Sequence, residues 1–188
     1  ALVTLANMIE RGWAWPHQLL HNWHALLLKL ATQVVGNERD VGLLPTTVRR
    51  WGRMTKTVMT EWCDQKAAPW DAAARGSSAL QPALLTGVRD ETRAHVGVNE
   101  QSNCSMDVET FYDNMDLALM VEQSICLEAL PVELYLSCLT YLAPRAVKTH
   151  GAYSDYIVPN CAMLPGCGKA NHWARAFLYY LMETAYSK

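Results

Sequence analysis

Two stretches of the 188-residue sequence carry side chains whose types and spacing could do chemistry. Between Met106 and Asp116 four carboxylates, Asp107, Glu109, Asp113 and Asp116, fall close together. Like charges at that density repel, and a bound divalent cation removes the penalty. A hard ion such as Mg²⁺ takes one or two carboxylates together with waters and phosphates, so the stretch suits half of a metal site. Asp113 and Asp116 would equally suit a helix N-terminus, with Glu109 simply solvated. The second stretch is basic: Arg39, Arg49, Arg50, Arg53 and Lys56 stand against one acidic residue, Asp40. A surface that tracks phosphates has this character, and so does a solvated helix face.

The whole-chain balance is only −2, which argues against a dedicated polybasic nucleic-acid binder. It conceals an asymmetry: residues 1–95 carry 11 basic and 8 acidic side chains, residues 96–188 carry 5 and 10. A basic half beside an acidic half suits a protein that holds a polyanion with one part and a divalent metal with the other; random drift of charge would also produce it. With 51% hydrophobic and 18% charged residues, the chain can bury a core and is not disordered. It has no apolar run near the ~20 residues that span a bilayer, and no secretory leader pattern, so no membrane partner is expected. The six cysteines include no C-x-x-C pair. A reduced intracellular compartment, nuclear or cytoplasmic, is the expectation. Cys161, Cys167 and His172 have zinc-like spacing but lack a fourth ligand, and small buried thiols are the plainer reading. His17, His21 and His24 would share one face of a helix and read as surface or packing histidines.

The elements that must position these groups follow from periodicity. Leu26–Val35, Gly36-Asn37 and Glu38–Leu44 read as a hairpin or a longer loop between two arms, with Lys29 on one arm and Arg39 on the other. After Pro45, Thr46 or Thr47 caps a helix whose inner stripe is Val48, Trp51, Met54, Val58, Trp62 and Cys63. Ser77 or Ser78 caps another helix, running to about His95. Asn103–Val108 reads as a short strand and Tyr112–Ala129 as a helix, with Leu117, Met120, Val121, Ser124, Ile125 and Leu127 inside. Pro131 opens a further helix through Leu134, Tyr135, Cys138, Leu139 and Leu142. Arg145–Val158 reads as a hairpin about His150-Gly151, Leu164–Gly168 as a tight loop, and Ala170–Tyr186 as a helix. The expected class is α+β, mostly helical with short antiparallel strands.

Three of these segments, taken in order, resemble the reverse transcriptases of non-LTR retrotransposons. Asp107-x-x-x-x-Tyr112-Asp113 is similar to the first palm motif, in which an Asp precedes an aromatic by five residues. Arg39-Asp40-Val41-Gly42-Leu43-Leu44-Pro45 with Arg49-Arg50 downstream resembles the fingers motif Arg-Pro-Ile-x-Leu-Leu and its basic follower. Leu164-Pro165-Gly166-Cys167 before a helix resembles the palm loop Pro-Gln-Gly-Cys. The resemblance covers roughly residues 20–188 and implies one incomplete domain over 1–188, fingers-like over about 20–100 and a partial palm over about 101–188, interleaved. Asp40 stands where the family has Pro, Pro165 where it commonly has Gln, and Ala170 where Ser is common.

The resemblance implies an RNA-templated DNA polymerase working by two-metal nucleotidyl transfer with Mg²⁺ or Mn²⁺. Its partners would be an RNA template, a DNA primer, deoxynucleoside triphosphates and the remainder of the polymerase chain. Asp107 and the Val108 carbonyl would bind metal, with Asp107 the catalytic ligand. Lys29 and Arg39 would hold the incoming triphosphate, Tyr112 would exclude a 2′-hydroxyl, and Gly166 would admit the template or base pair at close range. Arg49, Arg50 and Arg53 would contact template phosphates. Trp51 and Phe111 read as core. The family's next element, a hairpin with aromatic-x-Asp-Asp, has no counterpart in these 188 residues. Whether the chain is itself an enzyme is therefore open. A non-catalytic nucleic-acid-binding remnant of a retroelement and an RNA-dependent RNA polymerase palm are the alternatives. The expected outcome is that this chain alone gives no detectable primer extension. A longer chain that includes such a hairpin should extend a primer and lose that activity by orders of magnitude on Asp107→Ala. Extension by the short chain, or indifference to the substitution, would locate the chemistry elsewhere.

Overall fold

The computed structural model describes residues 2–28, 38–68, 70–71, 80–96, 111–149, 152–161 and 163–186. Among them, seven helices and a four-stranded mixed sheet make an α+β fold. Helix α1 (Leu2–Gly12) buries Ala6 and Ile9, and strand β1 (Asn22–Leu28) follows a single 3₁₀ turn over His17–Leu19. The histidine segment is thus not one helix: His17 and His21 stack edge to face at 5.6 Å, whereas His24 is buried on β1. A helical spacing of three and four residues has no meaning once the period becomes two.

Strand β1 pairs antiparallel with β2 (Glu38–Leu43), Trp23 opposite Leu43 and Leu28 opposite Glu38. The expected two-arm pairing is present, but the first arm begins at Asn22 rather than Leu26; the Gly36-Asn37 turn lies outside the described residues. The other edge of β1 pairs in parallel with β3 (Arg145–Thr149), which pairs antiparallel with the short β4 (Ala152–Tyr153). The order is β2-β1-β3-β4, so the sheet is mixed and not purely antiparallel as expected. The arms of the expected second hairpin pair as β3 and β4, extended by an Arg145–Ile157 bridge, while its His150-Gly151 turn lies outside the described residues.

Pro45 precedes α2 (Thr46–Met54), and no threonine side chain caps it. Thr46 Oγ1 instead accepts from Arg49 Nη2 at 3.4 Å. The helix breaks at Thr55, whose hydroxyl donates to the Trp51 carbonyl at 3.1 Å, and α3 (Lys56–Gln65) restarts with a shifted face. Val48, Trp51, Trp62 and Cys63 are buried as expected, but Met54 and Val58 are exposed, and Thr55 and Met59 take their places inside.

Helix α4 (Leu80–His95) ends where expected, while Ser77, Ser78 and the Asn103–Val108 strand lie outside the described residues. Residues 111–114 form turns, and α5 (Leu117–Cys126) starts only after Asp116, whose Oδ1 accepts from the Ala118 and Leu119 amides at 2.8 and 3.1 Å. The expected helix therefore begins five residues late because Asp116 caps it. Ile125, expected inside, is 63% exposed. In α6 (Pro131–Tyr141) Leu134 is buried, but Tyr135 and Leu142 face solvent and Leu136, Ser137, Thr140 and Tyr141 fill the interior. Helix α7 (Ala170–Tyr186) closes the body.

Four tryptophans tie these parts into one core. Trp173 packs against Trp62 at 5.5 Å, and Trp15 meets Trp51 edge to face at 5.2 Å. Trp62 Nε1 donates to the Leu127 carbonyl at 3.1 Å and Trp15 Nε1 to the Leu136 carbonyl at 2.9 Å, so these two rings are both packed and anchored. The sheet is fixed to this body by Asn22, whose Nδ2 donates to the Thr140 carbonyl at 2.7 Å, and by Gly42, whose amide donates to the Pro165 carbonyl at 3.3 Å. A Cβ at Gly42 would lie 3.0 Å from that carbonyl oxygen and 3.3 Å from Leu164 Cδ2. Gly42→Ala should therefore destabilise by about 1–3 kcal/mol, by overpacking. Gly52→Ala, in α2 with open space at its Cβ, should be neutral or gain up to about 1 kcal/mol. Denaturant unfolding of the two variants tests the docking, and equal effects would disprove it.

Candidate nucleic-acid interface

The residues singled out in the sequence fall into three groups. Asp107, the Val108 carbonyl and Lys29 lie outside the described residues. Arg39 is on β2 opposite Leu27, three residues from Gly42 and so roughly 10 Å along the strand from the Pro165 contact. Arg49, Arg50, Arg53, Tyr112 and Gly166 are described, and the structure gathers most of them around one loop.

That loop is Leu164–Gly168. Leu164 is fully buried and anchors its start, the Cys167 amide donates to the Leu164 carbonyl at 3.1 Å, and Gly166 adopts φ +88°. Only glycine takes that conformation without strain, and the Gly42 carbonyl lies 3.7 Å from where a Cβ would stand. The backbone conformation alone demands Gly166, since a Cβ there would make only ordinary contact with Gly42, and that demand is independent of any template.

Tyr112 braces the loop from behind. Its carbonyl accepts from the Met163 amide at 2.8 Å and its hydroxyl donates to Asn171 Oδ1 at 2.6 Å, with its ring 5.3 Å from Phe111. Phe111 packs on the core from a half-buried position, and Trp51 is fully within it. Tyr141, buried in α6, reaches Cys167 Sγ at 3.5 Å, and burial holds its hydroxyl well above the ordinary phenol range.

In front of the loop lies a cleft of about 260 Å³ between α2 and the Gly166 turn. Arg49, Arg53 and Lys56 line one wall; Gly166, Cys167, Gly168 and Lys169 line the other. Arg49 and Arg53 thus share a cleft with Gly166, as the sequence suggested, whereas Arg50 is exposed on a different side of α2. Lys169 escaped sequence reading altogether. It is only 1% exposed, its Nζ lies 3.1 Å from the centre of the Trp51 ring, and it has no hydrogen-bond partner. Burial drives its pKa down to about 7, against the pull of Glu133, Cys167 and Glu10, while the ring face favours the cation. No periodicity marks a lysine one residue before a helix as buried; the signal exists only once Trp51 is placed.

No protein-family model matches the chain, and no curated protein matches it.

Among the described residues no three His, Cys, Asp or Glu side chains converge to hold a metal ion, and the charged side chains that line the cleft are Arg49, Arg53, Lys56 and Lys169. Cys161, expected to be a buried thiol, is exposed. His172 is held below its ordinary pKa by burial and by Arg175, Lys169 and Lys56, and so is neutral at neutral pH. A second feature that sequence reading missed is aromatic. On the outer face of the sheet Trp23 lies 5.3 Å from Tyr153 and 6.4 Å from Tyr156, with Lys148 Nζ 5.5 Å over the Tyr153 ring. These residues are some 130 apart in sequence, and only the parallel β1–β3 pairing joins them.

The buried lysine has a measurable cost. In the unfolded chain Lys169 keeps an ordinary pKa near 10.5; folded, it binds its proton only below about 7. Between those values the unfolded state holds more protons, so stability rises with pH, and the full penalty for burying the charge applies below pH 7. Lys169→Met should therefore raise stability most at pH 5–6, by on the order of 1–3 kcal/mol, with the gain shrinking towards pH 10. Thermal unfolding of both proteins across pH in buffers free of multivalent anions measures this. A gain independent of pH would mean that the buried amine is not the cause.

Proposed function

We propose that this chain carries the fingers and part of the palm of an RNA-templated DNA polymerase, and that the Gly166 cleft belongs to its strand-binding surface. The observation that carries the reading is a convergence: the loop resembling Pro-Gln-Gly-Cys docks on the strand resembling the fingers motif, beside a helix that turns Arg49, Arg53 and Lys56 into the same cleft. Phosphates need several cations on one concave surface, and a glycine turn lets a nucleotide backbone approach closely.

In this reading the metal ions, Mg²⁺ or Mn²⁺, would be held by Asp107 and the Val108 carbonyl, both outside the described residues. The chain's described groups contribute binding and orientation. Tyr112 fixes the rear of the loop through Asn171, and Gly42 and Pro165 fix its height above β2. Deoxynucleotide selection by Tyr112 needs its ring to face the sugar, and its hydroxyl's engagement with Asn171 sets that ring's direction. Among the described residues no helix is long and apolar enough to cross a membrane.

The second reading, a non-catalytic nucleic-acid-binding protein, is favoured by the Trp23–Tyr153–Tyr156 group with Lys148. Exposed rings beside a cation offer bases a stacking surface whether or not catalysis follows. Both readings require the cleft to bind a strand. Affinity for a primer–template duplex should fall with salt, with a log–log slope of roughly −3 if three phosphates are neutralised. Arg49→Glu with Arg53→Glu should weaken binding by about tenfold or more on every sequence, and Arg50→Glu by less than about threefold. Fluorescence anisotropy at several salt concentrations reads all three. Equal loss from Arg50→Glu would show a generic basic face, and no loss from any would remove nucleic acid from the account.

A further inference from the structure

The cleft between α2 and the Gly166 loop gathers four cations, Arg49, Arg53, Lys56 and Lys169, and no carboxylate lines it. Three of them stay hydrated at the rim. Lys169 does not: it is withdrawn from water, its ammonium lies on the Trp51 face, and none of its N–H groups has a hydrogen-bond acceptor. A ring face attracts the charge but leaves those donors unused, and a buried donor without an acceptor is costly. The Ser137 and Thr140 hydroxyls also line the cleft and donate to the Glu133 and Leu136 carbonyls, and neither accepts a hydrogen bond from Lys169. Helix α7 begins at Ala170, so the positive end of its dipole lies at the same wall. The four cations, the unused Lys169 donors and the helix start at this wall all favour an anion.

We propose that the cleft is a phosphate-binding site in which a phosphate oxygen becomes the missing partner of Lys169, with Arg49, Arg53 and Lys56 closing over the same group. The phosphate has two possible sources, a phosphodiester of a bound strand or a free inorganic phosphate species. Only the choice of the strand rests on the polymerase reading above; the site itself rests on the four cations. An arriving anion favours protonated Lys169, so binding above neutral pH takes up a proton. The groups facing Lys169 from its neighbours are Glu133 of α6, Glu10 of α1, Cys167 of the loop, His172 of α7, and Arg49, Arg53 and Lys56 of α2 and α3. His172, held low by burial, stays neutral above pH 7.

The test uses the full 188-residue chain and two probes, a single-stranded decanucleotide, whose internal diesters do not titrate across this range, and inorganic pyrophosphate. Wild type should bind the decanucleotide about tenfold more tightly at pH 6 than at pH 9. Lys169→Met should bind about tenfold more weakly than wild type at pH 6 and show less than a threefold change across the range. Calorimetry of the wild type at pH 8 in two buffers of different ionisation enthalpy should find about half a proton taken up per site, a readout that needs no variant to fold. If pyrophosphate binds with this proton uptake and loses affinity on Lys169→Met while the decanucleotide does not bind, the phosphate site stands and the nucleic-acid reading falls. If the decanucleotide binds with the expected salt dependence but without proton uptake or sensitivity to Lys169→Met, the nucleic-acid reading stands and this site is refuted. Binding of neither probe overturns both.

Discussion

One backbone contact sets the geometry on which the rest depends. Where β2 passes the Leu164–Gly168 loop, Gly42 and Pro165 meet amide to carbonyl, with Leu164 buried beneath them. Gly42 brings no side chain to the contact, so the separation is set by main-chain atoms and the Leu164 side chain. The sheet is thereby held at one height above the helical body, and the Gly166 turn is held open towards α2. Trp51 then fills the space under the turn, with Glu10 bonded to its indole nitrogen at 3.0 Å and Lys169 on its face. The cleft is what remains between a rigid turn and a rigid ring.

Much of the element order was legible in the sequence, and the reasons are local. Helix α7 begins at Ala170 after a Pro-Gly turn, and α6 begins at Pro131, as their local signals say. The errors are also local in origin but tertiary in cause. Thr55 breaks a continuous-looking stripe because its hydroxyl bonds back to Trp51, and just beyond it Val58 turns outward while Met59 turns inward; Trp62 and Cys63 stay inside. Asp116 withholds five residues from α5 by capping it, which also gives one member of the acidic stretch a structural use. His17, His21 and His24 look helical only until β1 imposes a period of two.

The candidate site was half legible. A basic run on a helix and a Pro-Gly-Cys turn were visible as patterns, and the fold brings Arg49, Arg53 and Gly166 together. Arg50 has the same charge and the neighbouring position, but a helix turns about 100° per residue and carries it away from the cleft. Lys169 was invisible because nothing in a sequence distinguishes a lysine that snorkels to water from one held under a tryptophan. The Trp23–Tyr153–Tyr156 group was invisible for a different reason: its members meet through a strand pairing that no turn residue announces.

That pairing has a consequence for how the chain reaches its fold. Strand β1 can zip onto β2 as soon as both have been made, because they are neighbours along the chain. Its other edge must wait for β3, since Asn22 pairs with Arg145 and Ala25 with Lys148. During synthesis, at about 5–20 residues per second, the hairpin spends several seconds or more with that edge unmatched. Closing so long a loop makes the parallel pairing a late event. Until it occurs, Asn22 and His24, buried at the end, have neither the Thr140 carbonyl nor the β3 backbone beside them. Any other strand with free amides is a competitor for that edge in the interval. The step most exposed to error in this molecule is therefore the arrival of Arg145–Thr149, long after the first strand is ready to receive it.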